Sequence, residues 1–387
     1  MRQLYLAATG QNRGKTTASL GLVDGFRRRG YHTGFIKPVG QRTVIEDGQP
    51  ADEDAVLMKA IFELPEPYPV MSPVHIPRGF TKAYIAGQVV EDLGARIRDA
   101  HATFAGHDIL VIEGTGHAGV GAVIGLSNAV VAQMLGAPAV IVSEGGVGRP
   151  IDEIVLNASH FRAYGVPIAG AIVNKVRVGE QPGIEDTLRR GLERHDIPLL
   201  GVLPYRPILS NPTLGMIQEA VRGRVICPGR DLDRVIDGVA IGAMEPHHML
   251  ARVGPGTLVI VPGDREDVIV TLTAAHLAQA QRGMEVAALL DETPGAVEAG
   301  PEGAAMGMVL TGGYEPRPEV LDGIREAGVF AALVDEDTYT VASEVHDLLV
   351  KTHAADTEKI ELIKALVWEF LKMDRFLEAA TEATFPA

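Results

Sequence analysis

The chain has 387 residues, 46% of them hydrophobic, and a formal net charge of −15 at pH 7. Its length favours two domains, and its acidic balance argues against a nucleic-acid partner, because duplex binding relies on clustered Lys and Arg. The single cysteine, Cys227, excludes an internal disulfide, and no apolar run reaches the ~20 residues of a membrane-spanning helix, so we expect a cytoplasmic protein with no membrane partner.

A glycine-containing loop, Ala8–Thr17, follows a short apolar strand pattern and leads into a helical pattern that ends at Arg29. In such a loop the backbone N–H groups face a phosphate, the lysine reaches the outer phosphates and the threonine hydroxyl can hold Mg²⁺. The sequence therefore predicts a nucleotide site. An ordinary strand-to-helix turn is the alternative, because the common motif has glycine where this chain has Thr9. The predicted nucleotide contacts in the loop are Thr9, Gly10, Asn12, Gly14, Lys15, Thr16 and Thr17.

Three later segments bring charged residues to the same edge of the predicted sheet. The strand pattern His32–Ile36 delivers Lys37 to the carboxyl end, where ligands lie in open α/β folds. The acidic segment Asp47–Asp54 precedes a helical pattern, so helix capping alone accounts for its carboxylates. The buried-strand pattern Asp108–Glu113 ends in a carboxylate that can reach a metal opposite Thr16.

Further strand patterns, Ala139–Ser143 and Ile168–Val173, alternate with helical ones. We therefore predict an α/β fold whose doubly wound, mainly parallel sheet is of the P-loop NTPase type. Asn174 ends one of these strands, where it can read an adenine edge or serve as an ordinary turn residue. His117 follows the Glu113 strand, where it can act as a general base or make ordinary hydrogen bonds.

Several separated motifs, taken in order, resemble those of dethiobiotin synthetase over about the first 205 residues. The full set is more specific than any one motif. The resemblance implies a P-loop fold, a homodimer, and a reaction in which ATP phosphorylates a carbamate formed with CO₂. The motifs are Ala8–Thr16, Lys37–Val39, Glu53–Ala55, Val111–Gly116, Val173–Val176 and Leu200–Pro204.

The resemblance also implies an ATP and Mg²⁺ site with a role for each matching residue. Lys15 and Thr16 would hold the phosphates, and Lys37 would face both phosphate and substrate, which makes Lys15 and Lys37 the catalytic candidates. The implied metal ligands are Thr16, Asp54 and Glu113, and the implied adenine contact is Asn174.

Two stretches depart from the pattern of that family. Asn12 and Arg13 replace an acidic residue and a valine of its phosphate loop, and Gly40–Arg42 replaces its small hydroxyl residues. Because those positions help to place the biotin precursor in the family, we expect a product other than dethiobiotin.

The second half of the chain predicts a smaller α/β domain. We place the first domain at residues 1–205, a proline-containing linker at 206–212, the second domain at 213–350 and a C-terminal helical segment at 351–387. The glycines of the loop Thr311–Tyr314 can bind an anion, although a strand-ending turn explains them equally well. The predicted strands of this domain are Thr257–Val261, Glu285–Leu290, Gly307–Thr311 and Val329–Val334.

The second domain resembles the DRTGG domain, whose last three motif residues match Thr311–Gly313. The order of the two domains resembles the amino-terminal region of long phosphate acetyltransferases without the acetyltransferase domain. The helical segment is expected to pack on the second domain or on a neighbouring subunit.

These observations leave two functional hypotheses and one structural alternative. One is an enzyme that uses ATP and Mg²⁺ to activate a small carboxylate or carbamate, with a small carboxylate or amine as substrate. The other is a regulatory protein that senses a nucleotide. The structural alternative is a loop that has lost its ligand.

Overall fold

The computed structural model of the chain describes residues 1–177, 179, 182–229, 231–289, 306–348 and 350–382. The chain forms two compact units, one of Met1–Arg206 with Thr352–Ala387 and one of Pro207–Lys351. The second unit is thus an insertion in the first, and the predicted linker belongs to it from Pro207 onward.

The first unit contains a six-stranded sheet in the order β10-β9-β8-β1-β7-β2, in which every neighbouring pair is parallel. The strands of this unit are β1 (Arg2–Ala8), β2 (Thr33–Ile36), β3 (Val39–Gly40), β4 (Thr43–Glu46), β5 (Gln49–Asp52), β6 (Val74–His75), β7 (Ile109–Glu113), β8 (Ala139–Glu144), β9 (Ile168–Val176) and β10 (Leu199–Pro204). The helices that precede the insertion are α1 (Lys15–Arg28), α2 (Glu53–Phe62), α3 (Tyr68–Met71), α4 (Phe80–Ile85), α5 (Leu93–Ala102), α6 (Asn128–Leu135), α7 (Gly148–Ala163) and α8 (Ile184–Glu193).

The central strands of this sheet are buried on both faces. Tyr5 and Ala7 of β1 pack in one core with Ile97 of α5, Ala132 of α6 and Phe161 of α7. The intervening residues of β1 are equally buried on the opposite face. A parallel sheet covered on both sides needs continuous apolar runs, which is why the sequence predicted these strands well. The predicted fold class is confirmed.

The second unit contains a five-stranded sheet in the order β11-β15-β14-β13-β12, with β11 antiparallel to β15 and the other pairs parallel. Its strands are β11 (Arg224–Cys227), β12 (Gly238–Ile241), β13 (Thr257–Pro262), β14 (Gly307–Thr311) and β15 (Phe330–Leu333). Its helices are α9 (Leu214–Val221), α10 (Pro246–Leu250), α11 (Glu266–Leu289), α12 (Pro318–Ala327) and α13 (Thr338–His346).

One predicted strand of the second unit is wrong. Residues 285–289 form the end of α11, and Leu290 lies outside the described residues. The segment is a short apolar run, and periodicity alone cannot distinguish a buried strand from a helix in such a run. Its two alanines are strong helix formers, which the prediction did not weigh.

The chain then returns to the first unit as α14 (Thr357–Phe370) and α15 (Met373–Glu382). Helix α14 packs against α1 closely enough that a Cβ atom on Gly21 would lie 2.2 Å from Cγ2 of Val367. An ion pair between Arg29 and Asp374 joins the end of α1 to α15. The expectation that this segment packs on the second domain is therefore wrong, because an amphipathic pattern shows a buried face without showing what covers it. Packing on a neighbouring subunit stays a prediction.

A search of the described residues finds no helix with the length and apolar character needed to cross a membrane.

Candidate functional site

The loop between β1 and α1 has a backbone that only glycine can adopt at its last position. Gly14 has φ of 94°, and a Cβ atom there would lie 1.9 Å from Nδ2 of Asn174. That amide donates a hydrogen bond of 3.1 Å to the carbonyl oxygen of Arg13. Asn174 therefore contacts the loop from the end of β9, and any larger residue at position 14 would displace it.

Two further residues fasten the loop, and the sequence analysis did not identify them. Nζ of Lys175 donates to the carbonyl oxygen of Asn12 and to Oε1 of Glu144, both at 2.9 Å. Glu144 also forms an ion pair with Arg13. The only signal for these residues was their position at the carboxyl ends of β8 and β9, beside Asn174.

The other predicted residues of the loop have the following contacts and positions. The hydroxyl of Thr9 is 3.2 Å from that of Ser143, and the side chain of Arg13 lies over Gly10. Lys15, Thr16 and Thr17 form the first turn of α1.

A lysine and two carboxylates meet the hydroxyl of Thr16 at the carboxyl edge of the sheet. Nζ of Lys37 is 2.6 Å from Oδ2 of Asp54 and 2.8 Å from Oε1 of Glu113. The hydroxyl oxygen of Thr16 is 3.1 Å from Oδ1 of Asp54 and 3.2 Å from Oε1 of Glu113, and its one proton is donated to either carboxylate. These four residues, which we call the Thr16 cluster, come from the segments that the sequence analysis placed at this edge.

Two acidic residues of the segment at the start of α2, Asp52 and Asp54, have different roles. Asp52 is the N-cap of α2, and its side chain accepts a hydrogen bond from the backbone N–H of Asp54. That cap fixes the first turn of the helix and so turns the carboxylate of Asp54 toward Lys37. Helix capping therefore explains the carboxylate of Asp52, whereas the carboxylate of Asp54 belongs to the Thr16 cluster.

Burial and charge give the members of the Thr16 cluster distinct protonation properties. Burial raises the pKa of Glu113 to about 6, despite the nearby charge of Lys37. Burial also opposes the charge on Asp54, yet Lys37 lowers the pKa of Asp54 strongly. The pKa of Lys37 lies well above its usual value because its two carboxylates outweigh its desolvation. At neutral pH the cluster therefore holds two carboxylates and one ammonium group.

The donor atoms of this cluster suit Mg²⁺. Mg²⁺ prefers oxygen ligands, and the cluster offers the hydroxyl of Thr16 and the carboxylates of Asp54 and Glu113. Oε2 of Glu113 is buried and has no hydrogen-bond partner among the described residues. A buried carboxylate oxygen without a partner is costly unless a cation or donor reaches it. The residues present therefore fit the metal that the sequence analysis expected.

A recess is lined by residues of β3 and of the loop after β7, and these two segments follow Lys37 and Glu113 in the chain. Asn128 holds that loop in place, because its amide accepts from the N–H of Thr115 and donates to the carbonyl oxygen of His117. The imidazole of His117 accepts from the N–H of Gly119 at 3.2 Å, which is the ordinary hydrogen bonding that we weighed as an alternative. The lining of the recess includes Val39, Ile76, Thr115, Ile124, Leu126 and Asn128.

The two glycines of the loop Thr311–Tyr314 use their backbone N–H groups within the protein. The N–H of Gly312 donates to the carbonyl oxygen of Glu336 at 2.8 Å, and that of Gly313 donates to Val334 at 2.9 Å. Both residues have positive φ, as a tight turn after β14 requires. Of the two interpretations of this loop, the structure favours the strand-ending turn.

Comparison with known families identifies both units. The family model described as AAA domain matches residues 2–213, which is more than half of the chain. The chain belongs to this AAA domain family. The model described as DRTGG domain matches residues 216–348. The predicted order of a P-loop domain followed by a DRTGG domain is thereby confirmed.

Curated relatives match the chain across the regions of both family models. The phosphate acetyltransferase of Pseudomonas putida is 28% identical over 386 residues, a match that covers 95% of this chain and 50% of the relative. The phosphate acetyltransferase of Nitrosomonas europaea is 23% identical over 398 residues, covering 99% of this chain and 52% of the relative. The chain thus spans about half the length of these relatives.

Solved structures similar to parts of the chain include the cell division ATPase MinD of Pyrococcus furiosus. It has a TM-score of 0.32 and 13% identity, and the match covers 54% of this chain and 86% of that one. The CBS and DRTGG domains of the regulatory region of Clostridium perfringens pyrophosphatase have a TM-score of 0.26 and 15% identity. This match covers 41% of this chain and 63% of that one. By its two families, the chain is a nucleotide-binding protein of the P-loop type that carries a DRTGG domain.

Proposed function

We propose that the first unit binds ATP with Mg²⁺ and uses it to activate a small carboxylate or carbamate. The observation that carries this proposal is the Thr16 cluster, in which a P-loop threonine, a lysine and two carboxylates lie within hydrogen-bond distance of one another. A loop with a purely structural role would not need a buried ammonium group and a buried carboxylate, with a second, partly buried carboxylate beside them, at its threonine.

Each residue of the site has a defined part in this proposal. The backbone N–H groups of the loop and the ammonium of Lys15 would bind the phosphates. Thr16, Asp54 and Glu113 would hold Mg²⁺, which would supply positive charge to the phosphates. Lys37, which contacts both carboxylates, would orient an anionic acceptor toward the γ-phosphate. An acceptor oxygen then bonds to phosphorus as the bond to ADP breaks, and the ammonium groups stabilise the charge that moves onto ADP.

The recess supplies a place for the acceptor. Val39 follows Lys37 by two residues and Thr115 follows Glu113 by two, so two residues of the recess wall are close in the chain to members of the Thr16 cluster. Most of its lining residues are apolar, and its polar lining residues are Gln41, Thr81, Thr115 and Asn128. This composition suits a small acceptor with a charged end at Lys37 and an apolar body.

A nucleotide-sensing regulatory protein is the second candidate function. The match to the phosphate acetyltransferases supports it, because it extends through the DRTGG domain and covers 95% of the chain or more in both relatives. In this case the first unit would bind ATP without rapid turnover. A homodimer and a cytoplasmic location remain predictions under either function.

Replacing Glu113 with glutamine tests the proposed metal role. The change keeps the shape of the side chain and removes its charge, so we expect the apparent Mg²⁺ affinity of the ATP complex to fall by about tenfold or more. Affinity for metal-free ATP should stay nearly unchanged. Calorimetric titration of ATP at several Mg²⁺ concentrations measures both, with the exposed Glu193→Gln as the matched control. Identical Mg²⁺ titrations in the Glu113→Gln variant and the wild type would exclude Glu113 as a ligand.

Turnover distinguishes the two candidate functions. The wild-type protein with Mg·ATP is mixed with a panel of small carboxylates and amines, and ADP release is followed. Release that increases with one acceptor supports the activating enzyme. Tight ATP binding without acceptor-dependent release contradicts the enzyme and supports the sensor, whereas no ATP binding contradicts both.

Nucleotide binding should take up a proton at alkaline pH. Burial, and then the charge of Lys37, lower the pKa of Lys15 to about 8, so at pH 9 this amine is mostly neutral in the free protein. Bound phosphates favour the ammonium form and raise that pKa, so binding at pH 9 gains a proton that binding at pH 6.5 does not. Calorimetry in two buffers of different ionisation enthalpy measures this uptake. A binding enthalpy that is independent of the buffer at pH 9 would contradict phosphate contact by Lys15.

A further inference from the structure

Two histidines and a glutamate converge on the surface of the second unit, far in sequence from the P-loop. Glu245, His247 and His248 each offer one donor atom, and these three atoms all lie within 4.8 Å of one another. Oε2 of Glu245 is 3.6 Å from Nδ1 of His247. The two imidazole rings have their centroids 3.8 Å apart. We call these three residues the His-Glu triad.

The convergence of the two rings is not what helix geometry alone would give. His247 and His248 are consecutive residues in the first turn of α10, and side chains at adjacent helix positions do not face each other. Their rings nevertheless meet, with an interplanar angle of 43°. The third donor, from Glu245, comes from the residue that caps the same turn. The three donor atoms are close enough to one another to serve one ion.

The backbone that carries the triad is anchored although its side chains are exposed. Met249, the residue after the triad, is fully buried in the core of the second unit. The segment before the triad is braced by Arg265, which donates to the carbonyl oxygen of Met244 at 3.0 Å and is neutralised by Asp267. The donors therefore start from a fixed turn and need only side-chain adjustment to close on an ion, which limits the entropic cost of binding.

We propose that the His-Glu triad binds one divalent transition-metal ion of the zinc class. Two imidazole nitrogens and one carboxylate oxygen form a donor set that Zn²⁺ uses in sites with an open coordination position. The remaining position would be taken by water or by an outside ligand. Nitrogen donors favour Zn²⁺, Ni²⁺ and Cu²⁺ over Mg²⁺, which prefers oxygen ligands. The Thr16 cluster offers only oxygen donors, so the two sites select different metals and the triad does not depend on the proposed function.

Zinc titration of the full chain in millimolar Mg²⁺ tests the triad, because Mg²⁺ saturates oxygen-only sites without competing at imidazoles. We expect one Zn²⁺ per chain, measured by competition with a colorimetric chelator. His247→Ala, His248→Ala and Glu245→Gln should each weaken Zn²⁺ affinity by at least about tenfold. His195→Ala, which removes an exposed histidine of the first unit, is the matched control and should leave the affinity unchanged.

Cobalt provides a second readout that does not depend on affinity alone. Co²⁺ bound in place of Zn²⁺ should give visible absorption bands that disappear in the His247→Ala variant and persist in His195→Ala. The triad is contradicted if the wild type binds no Zn²⁺ under these conditions. It is equally contradicted if Zn²⁺ binds with the same affinity in the three triad variants, since the ion would then be held elsewhere.

Discussion

Replacing Lys37 with methionine is expected to lower the free energy of unfolding of the first unit by about 3–5 kcal/mol at pH 7.5. Methionine fills similar space but removes the ammonium group that contacts Asp54 and Glu113. The fully buried carboxylate of Glu113 and the partly buried carboxylate of Asp54 are then left side by side without a counter-charge. Urea unfolding followed by circular dichroism measures the change.

Two comparisons separate this electrostatic cause from a general packing defect. The exposed Lys372→Met is the matched control, and such surface changes usually alter stability by no more than about 0.5 kcal/mol. The double variant Lys37→Met with Glu113→Gln should recover part of the loss, since it removes one of the unpaired charges. A Lys37→Met loss below about 1 kcal/mol, the size of a surface ion pair, would contradict the buried cluster.

The pH dependence of the Lys37→Met variant has a defined sign. The pKa of Glu113 is raised to about 6 from a reference value of 4.5, so the folded protein binds this proton more tightly than the unfolded chain. Stability contributed by that proton is present below pH 4.5 and is lost as pH rises through about 6. Without Lys37 the carboxyl of Glu113 becomes still harder to ionise, so the deficit of the variant should shrink as pH falls from 7.5 toward 5.5.

Replacing Lys15 with alanine should weaken ATP binding by at least about 30-fold, or ~2 kcal/mol, because a buried charged hydrogen-bond partner of the phosphates is lost. The same change should raise the stability of the nucleotide-free protein near neutral pH. Desolvation and the charge of Lys37 disfavour the ammonium of Lys15, as its pKa of about 8 shows, so removing it relieves an unfavourable interaction.

These opposite directions separate a binding lysine from a structural one. Calorimetric titration of ATP and thermal unfolding are measured on the same Lys15→Ala preparation, with the exposed Lys372→Ala as control. A lysine that merely supports the loop would lower stability and affinity together. Unchanged ATP affinity in Lys15→Ala would remove Lys15 from the phosphate site.

The sequence could predict the Thr16 cluster because a parallel sheet collects strand ends at one edge. Lys37 and Glu113 each follow or end a buried strand, and Thr16 follows the loop after β1, so their meeting follows from topology. Asp54 was harder, because every carboxylate at a helix start has a capping explanation. The hydrogen bond from the N–H of Asp54 to Asp52 shows that Asp52 is the capping residue, and this contact cannot be read from the sequence.

Other features depended on three-dimensional contacts that no local pattern contains. Glu144 and Lys175 fasten the P-loop from β8 and β9, but each also looks like a charged residue at a strand end. The return of α14 to α1 depends on the fit between Gly21 and Val367, which lie at opposite ends of the chain. Convergence of the His-Glu triad depends on rotamers within one turn, which spacing does not determine.

The most direct test of the nucleotide site is a crystal structure of the protein with Mg²⁺ and a non-hydrolysable ATP analogue. We expect the phosphates on the backbone N–H groups between Gly10 and Thr16, the ammonium of Lys15 on the outer phosphates, and Mg²⁺ at about 2.0–2.1 Å from the hydroxyl oxygen of Thr16. A loop that stays free of phosphate at saturating analogue, or a Lys15 side chain directed into solvent, would contradict the assignment.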